Sequence, residues 1–336
     1  MINNQYIIVC LISFSFLFTS CFKEDDMIPK HTVGDIQSYT VEMGQYYMTQ
    51  SYFDLGTNQN VSFNSKDIWD LAFSCNDSNI IIRLNSAKFM KAAFTNDTAF
   101  FSVSDTSNLK WSFDVASGNI DSLAIQNWYE IGPTDTTFSQ KTYIIDLGIN
   151  ALGILQGVRK IKFLSYKNNI YRVQSAHLDN SDLQYYDIAK NSLYNYTQLK
   201  LEGAQGAVQL EPKKDNWDIF FTQYTDILKT DLGELYPYLV TGVLINEYKI
   251  RAMLETNLDF ETTTLDDINL LDFQNNANVI GYQWKKYDFT AGIYEVNTQY
   301  TYIIRDTEGY YYKLRFVGFY NNLGEKGYPQ FESQKL

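Results

Sequence analysis

The chain has 336 residues, a length that suggests about two domains. Its 27 tyrosines, 22 phenylalanines and 5 tryptophans, set against only 5 prolines, favour pleated sheet over a helix bundle. The formal net charge is −12, and none of it lies in residues 1–20; such a field repels a phosphate backbone, which excludes nucleic acid as a natural partner.

Residues 5–20, QYIIVCLISFSFLFTS, form an apolar run that ends in small residues before Cys21. The run is too short for a membrane span of about 20 residues and lies at the extreme N-terminus, so residues 1–20 read as an export signal. Leu17-Phe18-Thr19-Ser20-Cys21 resembles the lipobox of bacterial lipoproteins, in which the cysteine becomes the acylated N-terminus, although Phe18 stands where leucine is commoner. Cys21 is thus the expected lipidation site, which would tie the chain to the outer membrane. Lys23-Glu24-Asp25-Asp26 looks like the acidic tag of Bacteroidota lipoproteins displayed on the cell surface; the plainer reading is a solvated linker. Residues 21–38 form an acidic tether that also holds His31. With Cys10 in the signal and Cys21 lipidated, Cys75 is the remaining thiol, so neither an internal disulfide nor a closed cysteine metal site is possible.

The first module is expected over residues 39–185. Tyr52 to Leu55 reads as a strand, Gly56 to Asn60 as a turn with a return strand after it, and Asn79 to Leu84 as a further strand. The polar stretch from Phe94 to Ile125 has no clear boundaries, and Asn150 to Gly157 reads as a loop or one helical turn. The second module is expected over 190–336. Tyr238 to Ile245 reads as a buried strand, Tyr248 to Leu254 alternates, and Thr264 to Leu271, opening on threonine with acidic residues behind it, is the best helix signal. From Tyr310 to Tyr320 the period is two, with Tyr312, Leu314 and Phe316 on one side and Lys313 and Arg315 on the other. Phe331 to Leu336 closes the chain as a strand.

The two modules are copies. Asp67-Ile68-Trp69-Asp70-Leu71-Ala72-Phe73 reappears as Asp215-Asn216-Trp217-Asp218-Ile219-Phe220-Phe221, Tyr143-Ile144-Ile145 as Tyr302-Ile303-Ile304, and Val173 to Leu178 as Phe331 to Leu336. The tryptophans lie 148 residues apart and the closing strands 158, a drift that loop insertions produce. The expected architecture is all-β, two tandem modules with few short helices. Each module should close its own sheets around an equivalent indole, Trp69 or Trp217.

DNWDIFFTQYT, YLVTGVLINEY, YYYKLRF and GEKGYPQFESQKL, together with the earlier YFDLGTNQNVSFNSKDIWDLAF, are similar to the HmuY-like family of Bacteroidota surface lipoproteins. The resemblance is anchored in both halves and leaves the interiors, roughly residues 85–140 and 255–295, uncovered. It implies an all-β surface protein that binds haem for iron acquisition and passes it to an outer-membrane haem transporter. Axial ligands in such proteins are two histidines or two methionines. His31 and His177 are the only histidines, so a bis-histidine site within one module is impossible. Met43, Met48, Met90 and Met253 remain, and Met253 has the most suggestive setting. On a strand from Tyr248 to Leu254 it shares a face with Lys249 and Arg251, a soft thioether beside two cations suited to haem propionates. The plainer reading is a gap-filling methionine among solvated cations. The carboxylate pairs Asp25-Asp26 and Asp266-Asp267 lack a base, a nucleophile or a phosphate loop, so no catalytic residues and no enzyme are expected. The alternative to haem binding is a structural or interaction module of the outer membrane, capturing protein or glycan without a cofactor.

Overall fold

The computed structural model describes residues 33–76, 79–95, 98–133, 135–203 and 206–336. The signal-peptide reading, Cys21, His31 and most of the tether fall outside the described residues. Within them the chain is all-β, with 22 strands and five single 3-10 turns.

The strands come as two sets of eleven. The first set is β1 (Gln37–Thr40), β2 (Thr49–Asp54), β3 (Gln59–Ser65), β4 (Leu71–Ser74), β5 (Ile82–Leu84), β6 (Lys91–Thr95), β7 (Tyr129–Ile131), β8 (Thr136–Phe138), β9 (Thr142–Asp146), β10 (Val158–Lys167) and β11 (Ile170–Ala176). The second is β12 (Gln184–Ala189), β13 (Tyr196–Lys200), β14 (Gly206–Val208), β15 (Ile219–Lys229), β16 (Leu235–Ile245), β17 (Arg251–Glu255), β18 (Lys285–Asp288), β19 (Ile293–Val296), β20 (Thr301–Arg305), β21 (Tyr311–Tyr320) and β22 (Lys326–Lys335).

The sheets match place for place. A five-stranded sheet β12-β11-β10-β9-β6 is echoed by β1-β22-β21-β20-β17, and a four-stranded sheet β14-β13-β4-β5 by β3-β2-β15-β16. The hairpin β7-β8 is echoed by β18-β19. This correspondence makes β1–β3 the counterparts of β12–β14, yet the two triplets have changed places. The triplet β1–β3 of the first repeat pairs with β22 and β15 of the second, at Tyr39↔Phe331 and Phe53↔Ile219. In return β13 of the second repeat pairs with β4 of the first, at Thr197↔Phe73. The expectation that each half closes its own sheets is therefore corrected: the repeats trade their first three strands, and the expected boundaries 39–185 and 190–336 do not enclose complete sheets.

The cores follow the exchange. One core is drawn wholly from residues between Leu71 and Leu201, and the other from Val41 to Leu55 together with Ile219 to Phe331. Alternation places the side chains as the period-two reading requires: Tyr312, Leu314 and Phe316 of β21 enter the second core. On the opposite face of β21 the buried Lys313 donates to the carbonyls of Phe260 and Thr263, at 2.5 and 3.0 Å. Its counterpart on β10, Lys160, donates to the carbonyls of Val103 and Leu178 at 2.8 and 3.2 Å. In each module a lysine thus pins a long loop across the outer face of the five-stranded sheet.

Two further expectations change. The indoles inside the cores are Trp128 and Trp284, 2% and 0% exposed, whose carbonyls accept from Ser139 N–H and Asn297 N–H at 2.9 and 2.8 Å. Trp69 and Trp217 do hold equivalent positions, since Asn85 Nδ2 donates to the Trp69 carbonyl and Asn246 Nδ2 to that of Trp217, at 2.9 and 2.7 Å. They belong to neither core cluster. The helix expected over Thr264 to Leu271 is two 3-10 turns, Leu265–Asp267 and Leu270–Asp272. The capping box between Thr264 and Asp267 is present, but a local cap cannot extend a helix that lacks a further turn to propagate.

Candidate functional site

The outer face of the second five-stranded sheet carries the candidate residues. Strand β17 is the edge of that sheet and pairs with β20 so that Met253 faces Ile303 and Arg251 faces Arg305. Directly opposed side chains on antiparallel strands share a face, and like charges so placed repel. Neither arginine takes part in an ion pair among the described residues. An anion between the two guanidinium groups would relieve that repulsion and accept hydrogen bonds from both.

Met253 is 6% exposed and packs with Ile303, Tyr311 and Leu336 beneath Leu265, Ile268 and Phe273. The segment above it is stitched to the edge strand by paired backbone bonds between Ala252 and Gln274, at 3.0 and 2.9 Å. Around this edge lies a cleft of about 710 Å³ lined by Met253, Leu254, Leu271, Phe273, Gln274 and Val279, with Glu255, Asn257 and Asp272 supplying its polar part. Its size falls within the range of about 300–1,000 Å³ typical of small-molecule sites. Leu271, 91% exposed, stands beside it.

Lys249 is not part of this group. Its φ of +64° breaks the alternation, the strand begins only at Arg251, and the Lys249 side chain lies over the Tyr248 ring, 4.7 Å from its centroid. The second cation beside Met253 and Arg251 is instead Arg305, which the sequence reading passed over. The signal was the register of two strands 50 residues apart, and a single sequence does not print that.

His177 has a different role. With Asp182 and Glu202 it forms the one cluster of metal-ligand side chains among the described residues. Arg159 sits inside that cluster, its Nη1 2.8 Å from Asp182, 2.9 Å from Glu202 and 3.1 Å from His177 Nε2. A guanidinium buried to 0% exposure already pairs with both carboxylates, occupies the space between them and would repel a metal ion. The cluster is a structural knot at the end of β11.

Comparison with known proteins completes the picture. The profile of a family described as HmuY protein matches residues 46–177 and, again, 179–332. The chain belongs to the HmuY family. It carries the family unit twice: the first matched segment holds β2 to β11, and the second β12 to β21 with most of β22. No curated protein matches the chain. Among solved structures it is similar to apo PinO from Porphyromonas gingivitis, at 9% identity over 90% of this chain and 97% of that one, with a TM-score of 0.29. It is also similar to the apo HmuY analog of Tannerella forsythia, at 10% identity over 91% and 98%, with a TM-score of 0.25.

Met43 and Met90 are sealed in the two cores at 1% exposure, and Met48 is 38% exposed. Met253 is the methionine that lines the cleft.

Proposed function

We propose that this HmuY-family chain is a non-catalytic surface lipoprotein, anchored to the outer membrane through Cys21, that binds haem or a related porphyrin for iron acquisition. The observation that carries the reading is the sheet face that Met253 shares with Arg251 and Arg305, Met253 being the one of the three that lines the cleft, where the charged residues are Glu255 and Asp272. The residues fit the group: a thioether is a soft iron ligand, and two unpaired guanidiniums suit propionates. Haem, when bound, supplies the iron to be carried. The chain holds it, shields its apolar faces with Leu254, Leu271 and Phe273, and releases it to an outer-membrane haem transporter.

Haem titrated into the chain lacking residues 1–21 should give a saturable Soret shift at one equivalent. Met253→Ala should remove the shift, and Arg251→Glu with Arg305→Glu should weaken binding of haem without changing that of its dimethyl ester. A spectrum like that of free haem up to large excess overturns the reading. It would leave the interaction module, which one feature favours: beyond Phe221, β15 pairs with β16 alone, and the ribbon exposes Leu232, Leu235 and Tyr238.

A further inference from the structure

Lys66 and Lys214 hold the same place in the two repeats, each one residue before the motif that contains Trp69 or Trp217. The Lys66 carbonyl accepts from Asn85 Nδ2 and the Lys214 carbonyl from Asn246 Nδ2, at 2.7 and 2.8 Å. Their ammonium groups are treated differently. Lys66 is 3% exposed and its Nζ is bonded to Gln223 Oε1. The counterpart of Gln223, 148 residues earlier, is Cys75, a side chain with no oxygen to offer. Lys214 accordingly makes no ion pair, and its Nζ no hydrogen bond, among the described residues; it lies over the Tyr248 ring, 4.4 Å from the centroid.

The strands make the same difference. β15 runs on past Gln223 to Lys229, and Thr225 Oγ1 donates to the Ser86 carbonyl at 2.9 Å, so the space on that side is filled. β4 stops at Ser74, and Glu247 follows Asn246 where Ser86 follows Asn85. The equivalent place is therefore open: a cleft of about 350 Å³ in whose wall both Cys75 and Lys214 lie. That is the low end of the range of about 300–1,000 Å³ found for small-molecule sites, room for one ring and not for a porphyrin.

What the cleft lacks is an acceptor. A carboxylate brought from outside takes the part beside Lys214 that the Gln223 carboxamide takes beside Lys66, in a charge-assisted hydrogen bond. The rest of the wall suits hydroxyl groups. Asn79 Oδ1 accepts the Ser74 hydroxyl at 2.6 Å, which leaves Nδ2 to donate, and Lys190 holds the residue through its carbonyl at 2.7 Å. Glu247 Oε2 accepts from Arg83 at 3.1 Å and from the Tyr196 hydroxyl at 3.0 Å, which leaves Oε1 to accept. The hydroxyls of Ser192, Tyr194 and Tyr248 do either. An apolar acid would strip water from these groups and return no hydrogen bonds, whereas sugar hydroxyls donate and accept together. The tyrosine rings give the C–H face of a sugar a surface to pack on. Because Arg83 balances Glu247, the unmatched charge is that of Lys214, and a single negative charge answers it.

We propose that this cleft binds a single-ring sugar acid, its carboxylate on Lys214 and its hydroxyls on Asn79, Ser192 and Glu247. This is a second ligand beyond haem, held where the two repeats differ.

The probe is D-glucuronate, followed by saturation-transfer NMR and calorimetry, with the chain lacking residues 1–21, which retains the whole compact unit from Thr32 to Leu336. Saturable binding at one site is expected, about tenfold tighter than that of glucose, which lacks the carboxylate, or of cyclohexanecarboxylate, which lacks the hydroxyls. Lys214→Met keeps the stem over Tyr248 and removes the charge; it should weaken glucuronate about tenfold and leave glucose unchanged, the ratio that one lost charge-assisted hydrogen bond gives. Lys214→Arg should restore the preference for the acid. Ser192→Trp, which fills the cleft from an exposed loop, should abolish binding of both sugars, with a near-UV spectrum confirming a native fold. Absence of saturation at millimolar probe, an effect of Lys214→Met on glucose equal to that on glucuronate, or cyclohexanecarboxylate or zwitterionic phenylalanine binding as tightly as glucuronate overturns the proposal. Haem titration is independent of these results, because the two clefts share no residue.

Discussion

Asp70 and Asp218 occupy the same place in the two repeats and have diverged in charge balance. Asp70 Oδ1 is bonded to the fully buried Lys88 and lies 3.3 Å from Lys200, while its other oxygen accepts the Leu201 N–H at 2.8 Å. Asp218 likewise accepts the Leu55 N–H at 2.8 Å, but no lysine faces it; burial, with Asp306 and Asp54 nearby, pushes its carboxyl up to about 7. Asp70→Asn strands a buried ammonium and should cost about 3–5 kcal/mol in urea melts. Asp218→Asn removes a group that is partly protonated at neutral pH, and should cost far less. The same divergence sets the pH profile. Asp114 and Glu211 are raised with Asp218, to about 6 and about 8, all chiefly by burial. Between their unfolded values near 4 and these folded values the native state holds protons that the unfolded chain has lost, so stability falls as pH rises. Lys285, lowered to about 7 by burial, acts the other way only above pH 7, where the unfolded chain alone holds its proton. Tm should therefore be higher at pH 5 than at pH 7, and Asp218→Asn should flatten the difference; a Tm that climbs steadily from pH 5 to 7 would refute the assignment.

The elements that sequence alone made legible are those whose pattern is local. The β2–β3 hairpin is announced by Gly56 to Asn60, and β21 by an alternation that sends Tyr312, Leu314 and Phe316 into the second core. The loops that cross the outer faces were illegible, because what fixes them is a single long-range bond set from Lys160 or Lys313 to carbonyls more than 50 residues away. The core indoles were missed for the same reason: Trp128 and Trp284 lie in polar, weakly patterned stretches, although their spacing of 156 residues falls inside the drift of the other repeated motifs. Trp284 stacks on Phe316 at 4.0 Å and Trp128 packs on Phe163 at 5.4 Å, so each locks a hairpin strand pair to a five-stranded sheet. Trp284→Ala should cost about 3–5 kcal/mol as a buried aromatic. Trp69→Ala, at a half-buried position outside both cores, should cost clearly less. Equal losses in denaturant titrations would return Trp69 to the role first expected of it.

For the molecule as a whole, the repeat in the sequence and the repeat in space are cut at different places. Reading the chain for similarity finds two units that meet near His177, the first holding β2–β11 and the second starting with β12. Physical closure falls elsewhere: β4–β14 contain both sheets of the first module, and every member of its core lies between Leu71 and Leu201. A chain that has just folded its first eleven strands lacks β22 for β1 and β15 for the β2–β3 hairpin, and leaves β4 without its β13 neighbour, so the exchange can be completed only after the second repeat has been made. It follows that a fragment of residues 66–210, which holds β4–β14, should fold alone, with cooperative urea unfolding and dispersed NMR signals. A fragment of residues 33–178, nearly the same length and matching the family unit, should not, since it retains β4 without β13, β1 without β22, and a β2–β3 hairpin with no β15 to join. Expressed together with residues 179–336, it should instead co-purify as a 1:1 complex of native spectrum. Autonomous folding of 33–178 together with failure of 66–210 would mean that each repeat can close on itself, and that the exchange seen here is one of two accessible pairings.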